Sequence, residues 1–157
     1  MSNCFLKKSP SVLAFAKEIT QPGDQNTTLT YSVGTDYVVV IPESVKLNES
    51  IAVTSSKANT EPGKAVKVRI TKGLTGGSAT LDRDNDDSNY AITAQLKLND
   101  SEAAVTGDTV IASFADVTAE TTGGTLTFAD PVSPDANPIK AGSYTGSLTF
   151  TVSYEDA

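Results

Sequence analysis

Ser147-Leu-Thr-Phe-Thr-Val-Ser-Tyr154 alternates without a break: Leu148, Phe150, Val152 and Tyr154 fall on one phase, Ser147, Thr149, Thr151 and Ser153 on the other. Successive side chains of a strand point to opposite faces, so the run predicts a half-buried strand with an apolar inner face and a hydroxyl outer face. The same period of two recurs outward along the chain. It appears in Leu29, Tyr31 and Val33, in Val66, Val68 and Ile70 with Lys67 and Arg69 between them, and in Tyr90, Ile92, Ala94, Leu96 and Leu98. Val38-Val39-Val40-Ile41 is apolar at successive positions, which predicts a strand covered on both faces, and Pro42 removes a ladder donor and ends it.

Turn signals punctuate these runs: Gly34-Thr35-Asp36, Glu61-Pro62-Gly63, Gly76-Gly77, Asn99-Asp100, Gly107-Asp108, Gly123-Gly124 and Ala141-Gly142. Glycine supplies positive φ, and Asp or Asn folds back onto its own backbone. No segment shows a 3.6-residue period, and Thr, Ser, Val and Ala outweigh the strong helix formers. The expected fold is all-β, an antiparallel β-sandwich of the immunoglobulin-like or jelly-roll kind with about eight to ten strands. An open barrel is the competing architecture. The stretch from Ala129 to Ala141, with Pro131, Pro134 and Pro138, reads as a crossover loop between two sheets. Residues 1–26 are expected to form an N-terminal arm or signal remnant and residues 27–157 the β-sandwich domain.

Composition excludes several kinds of chemistry. The 157 residues include no His, so Ser-His-Asp catalysis, His-rich metal sites and imidazole proton shuttles are ruled out. Twelve Lys and Arg against nineteen Asp and Glu give a net charge of −7 and no basic stripe for phosphates, so no nucleic-acid partner is expected. No run approaches the roughly 20 apolar residues that span a bilayer, so no membrane insertion is expected. A chain of this length buries roughly 68–70% of its unfolded surface and needs no disulfide, in keeping with the single Cys4.

The N-terminal stretch differs from the rest. Lys7-Lys8 precedes Val12-Leu13-Ala14-Phe15-Ala16, in which Ala14 and Ala16 match an A-x-A cleavage pattern. A working signal core holds roughly 7–15 apolar residues, and Pro10 cuts this one short. As an arm, the segment offers Phe5, Leu6, Val12, Leu13 and Phe15 for strand addition to a neighbouring subunit.

The run KEITQPGDQNTTLTYSVGTDYVVVIPESVKL, Lys17 to Leu47, resembles the opening of secreted immunoglobulin-like β-sandwich surface proteins of Gram-positive, gut Firmicutes-type bacteria, with their T-Y-x-V and Y-x-V-x-I-P-x-S-V-x-L patterns. The closing AGSYTGSLTFTVSY, Ala141 to Tyr154, is similar to their last strand and to that of spore-coat-U-like and fimbrial subunits. The resemblance implies a surface-exposed module. Its motifs are strand faces and turns and include no catalytic signature.

Among candidate sites, Asp82, Asp84, Asp86 and Asp87 in LDRDNDDSN have the D-x-D-x-D spacing that brings carboxylates round a hard cation such as Ca²⁺. An EF-hand is excluded, because Asp87 stands where it needs Gly and Thr93 where it needs Glu. The acidic hairpin tip is read as solvated, with a shallow Ca²⁺ site as its functional alternative. Glu43, Glu49, Glu61, Glu102 and Glu120 are the carboxylates available for glycoside hydrolysis, but all sit at expected turns or strand ends. Tyr37 and Tyr144, beside turns, are candidates for stacking a sugar. The lone Cys4 lacks a lipobox before it.

The expected function is therefore non-catalytic. The leading reading is a structural module exposed outside the cell, a surface or pilus-like fibre subunit that self-associates through its N-terminal arm, with no cofactor. The alternatives are a virion structural protein, as decoration or fibre, and a glycan- or Ca²⁺-binding module.

Overall fold

The computed structural model describes residues 30–86, 88–135 and 137–157. Gly34–Ala157 make up one compact unit. The assembly-arm residues Phe5, Leu6, Val12, Leu13 and Phe15, together with Cys4, lie outside the described residues, as do Leu29 and Asp87.

Ten strands and no helix occur among the described residues: β1 (Asp36–Val40), β2 (Ile51–Asn59), β3 (Lys64–Lys72), β4 (Leu74–Thr75), β5 (Ser78–Arg83), β6 (Ala91–Leu98), β7 (Ala112–Phe114), β8 (Thr121–Phe128), β9 (Tyr144–Thr145) and β10 (Thr149–Asp156). Every pairing between them is antiparallel. One curled sheet runs β1-β2-β8-β6-β5-β4, with β9 also paired to β5, and the second runs β10-β3-β7. The fold is an all-β, sandwich-like arrangement, as expected from the alternating runs.

The core lies between the sheets. Val66, Val68 and Ile70 on β3 face inward and are fully buried, while Lys67 and Arg69 turn outward. From the curled sheet they meet Val53 of β2, Leu96 of β6 and Leu126 of β8, and Phe114 of β7 and Ile111 complete the cluster. Burying each such side chain stabilises the fold by about 1.5–3 kcal/mol. Ser55 is the buried polar residue among them, and its hydroxyl donates to Lys57 O at 3.0 Å, across the bulge where β2 shifts register against β1.

Four expectations are corrected. Tyr31 and Val33 lie outside any strand and are exposed, so the short alternation Leu29-Tyr31-Val33 does not make a strand over its described part. Gly123-Gly124 is not a turn but sits inside β8. There a Cβ on Gly124 would stand 2.0 Å from Ile111 O, and one on Gly123 2.6 Å from the Phe114 ring, so the glycines let the β7 segment pack directly on the strand. The apolar run Val38–Ile41 lies in a strand as far as Val40, with Ile41 and Pro42 beyond its end, but β1 is the outermost strand of its sheet and Val38 and Val40 are 45% and 53% exposed. The deciding run is a strand only from Thr149 on, with Ser147 and Leu148 before it; it also lies at a sheet edge, and Val152 and Tyr154 on its inner phase remain 37% exposed.

Candidate functional site

The acidic hairpin between β5 and β6 is built by its own side chains. Asn85 and Asn89 adopt positive φ, 55° and 54°, where Asn is tolerated better than most residues, and they turn the chain back on itself. Asp86 then accepts from the Ser88 amide at 2.9 Å and hydroxyl at 2.5 Å, and from Arg83 at 3.2 Å. The Ser88 bonds, helped by the Arg83 guanidinium, hold its carboxyl below the ordinary value of 3.8. Asp84 accepts from the Thr145 hydroxyl at 2.7 Å. Arg83 also donates to Ala141 O at 2.6 Å. These bonds tie the hairpin to the segment around β9.

The D-x-D-x-D carboxylates are thus spread out. Asp82 stays in the β5 ladder, opposite Ala91 and Thr145, with its side chain exposed on a shallow hydroxyl-lined recess beside Thr75, Thr80 and Ser147. Asp84 and Asp86 turn to Thr145 and to Arg83 with Ser88. Among the described residues no three acidic groups converge as a metal site.

Tyr144 packs against Tyr90, with ring centroids 6.3 Å apart and planes at 58°, and its hydroxyl donates to Lys140 O at 2.6 Å. Lys140 Nζ lies 4.4 Å from the Tyr90 ring centroid, a cation–π contact. Tyr37 belongs to β1, at the other end of the strand order from β9, so the structure does not join the two tyrosines into one platform. The carboxylates of Glu43, Glu49, Glu61, Glu102 and Glu120 belong to exposed residues. Glu49 caps the Lys46 amide and Glu102 pairs with Lys97.

Two features were not expected from the sequence. The first is a cleft of about 620 Å³ at one end of the core, between the Pro42–Leu47 segment, β5 and the start of β10, with Leu81, Ile92, Phe128 and Phe150 on its walls. The second is the flank formed by β1 and β10. Among the described residues each pairs on one side only, β1 with β2 and β10 with β3. The two strands lie along the same side of the molecule. Thr35, just before β1, donates its hydroxyl to Tyr154 Oη at 3.4 Å, and Pro42, just after β1, shares the cleft wall with Phe150. Tyr37 on β1 and Val152 and Tyr154 on β10 are apolar or aromatic residues left 37–41% exposed there. On the other flank the β7 segment closes over β2 and β8, and Ala112 and Phe114 are buried. The signal for the open flank was the uninterrupted run Val38–Ile41, which has the composition of an interior strand.

Compared with protein-family models, with curated proteins and with solved structures, the chain finds no match.

Proposed function

We propose that the chain is a non-catalytic structural module exposed outside the cell, as its resemblance over residues 17–47 and 141–154 to secreted surface proteins implies, and a surface or pilus-like fibre subunit that assembles through its N-terminal arm. The observation that carries this reading is the open flank: two sheet edges unpaired among the described residues, with Tyr37, Val38, Val40, Val152 and Tyr154 in solvent. Exposed apolar edge strands template pairing with another chain, and globular domains normally blunt them with charge, proline or a covering element. The arm carries five large apolar residues, Phe5, Leu6, Val12, Leu13 and Phe15, within its first 16 positions. An extended segment of this kind adds to a sheet through backbone bonds and gains specificity through its alternate side chains.

Light scattering on the full chain and on a chain lacking residues 1–16 tests the reading. Large particles are expected from the first and folded monomers from the second. Truncated chains that assemble as well as the full chain would overturn it. Phe15→Asp should weaken assembly in the same direction, because it places a charge where the arm buries an apolar ring.

A further inference from the structure

Assembly through the arm requires an acceptor, and the fold offers two apolar places for one, the cleft and the flank. Resting on the reading above, we propose that the acceptor is the flank between β1 and β10, and that its occupant is the Phe5–Ala16 segment of a second copy, lying as an added strand along β1.

Backbone pairing favours the flank. A strand gains most of its attachment from ladder bonds, and β1 presents a whole unpaired edge, among the described residues, from Asp36 to Val40. The cleft is walled mainly by side chains and by the Pro42–Leu47 segment, which has no strand. Side-chain chemistry agrees. Val38 and Val40 point outward from β1 while Tyr37 and Val39 take the other phase, so the strand is apolar on both faces, as strands are when covered on both sides. An added strand turns β1 from an edge into an interior strand, which is the environment its composition fits. In an extended arm Leu13 and Phe15 share one face and cover Tyr37, Val152 and Tyr154.

Reach and charge also fit. Twelve extended residues span roughly 40 Å, against roughly 17 Å for the five residues of β1 and roughly 26 Å for the eight of β10. Residues 1–16 carry Lys7 and Lys8 and no Asp or Glu, whereas all nineteen carboxylates of the chain lie beyond them. A cationic arm is thus drawn to an acidic module, and two modules that would otherwise repel are brought together by it.

The test is a cross-link between full-length chains. One chain carries Cys4→Ser with Phe15→Cys or, for the opposite phase of the arm, Ala14→Cys. The other carries Cys4→Ser with Val152→Cys or, should that chain fold poorly, Tyr37→Cys. Mixed and mildly oxidised, they should give a disulfide-linked pair about tenfold above a control in which the second thiol is Ser113→Cys, the exposed position of β7 on the closed flank. Particles that form with cross-linking no higher than the control, for both arm phases and both flank positions, would overturn the flank as acceptor while leaving assembly through the arm intact. Particles unchanged by loss of residues 1–16 would overturn both. A chain holding both thiols that closes an internal disulfide and stays monomeric would also overturn the proposal, because the arm then serves its own copy.

Discussion

Gly124 shows how closely single positions are specified. An added methyl group would stand 2.0 Å from Ile111 O, which is backbone and can yield only if the β7 segment moves. Gly124→Ala should therefore destabilise the fold by about 2–3 kcal/mol, lowering the melting temperature by roughly 4–12 °C, and scanning calorimetry checks it. Titration acts at the surface and in both directions. Asp86, Asp135 and Asp156 are held below 3.8, by Ser88, Ser133 and Lys64 first among their partners, so their contribution is present above that value and is lost as pH falls through their folded values. Lys64 is held above 10.5, chiefly by its bond to Asp156, so its contribution persists up to that value and is lost as pH rises further. The melting temperature is accordingly expected to vary little from about pH 5 to pH 9 and to fall on both sides, and Asp156→Asn should flatten both limbs. Asp86 was legible as an acidic turn residue. That Arg83 and Ser88 occupy it was not, because hydrogen-bond partners depend on how the turn closes and not on residue spacing.

The strands were the most legible elements, since period-two alternation follows directly from the pleat. Val66-Lys67-Val68-Arg69-Ile70 reads and folds the same way, with Arg69 reaching Glu155 at 2.6 Å on the outer face. Position within a sheet was less legible. Val38–Ile41 and Ser147–Tyr154 both read as strands, yet both lie at edges: the alternation of the second records which face is apolar and carries no count of neighbours, and the unbroken apolar run of the first calls for cover on both faces without saying which element supplies it. Gly123-Gly124 misled for the opposite reason: the pair has turn composition, and only the approach of β7 explains it inside a strand. At this scale Arg83→Ala removes the donor to Asp86 and to Ala141 O, and should loosen the loop before β9. The expected outcome is faster proteolytic cleavage between residues 129 and 143, with a stability loss of about 1 kcal/mol in urea titration. An unchanged cleavage rate would mean that the other anchors of the loop, the backbone bonds between Thr93 and Val132, the Asp84 amide to Ser143 O and the Tyr90–Ser133 bond, hold it without Arg83.

At the scale of the molecule, one flank is closed by the β7 segment and the other, between β1 and β10, keeps apolar residues in solvent among the described residues. The sequence made the two halves of the assembly reading visible separately, as an apolar arm and as a run suited to an interior strand. It could not join them, because the flank exists only once Tyr154 is brought beside Thr35, 119 positions away along the chain. The measurement that tests the account most directly is amide hydrogen exchange over Asp36–Val40 and Thr149–Asp156, compared between the full chain and the chain lacking residues 1–16. If the flank receives the arm, exchange over β1 is slower by about tenfold or more in the full chain, while β6 is unchanged. Equal exchange over β1 in the two chains, under conditions where the full chain is assembled, would contradict it.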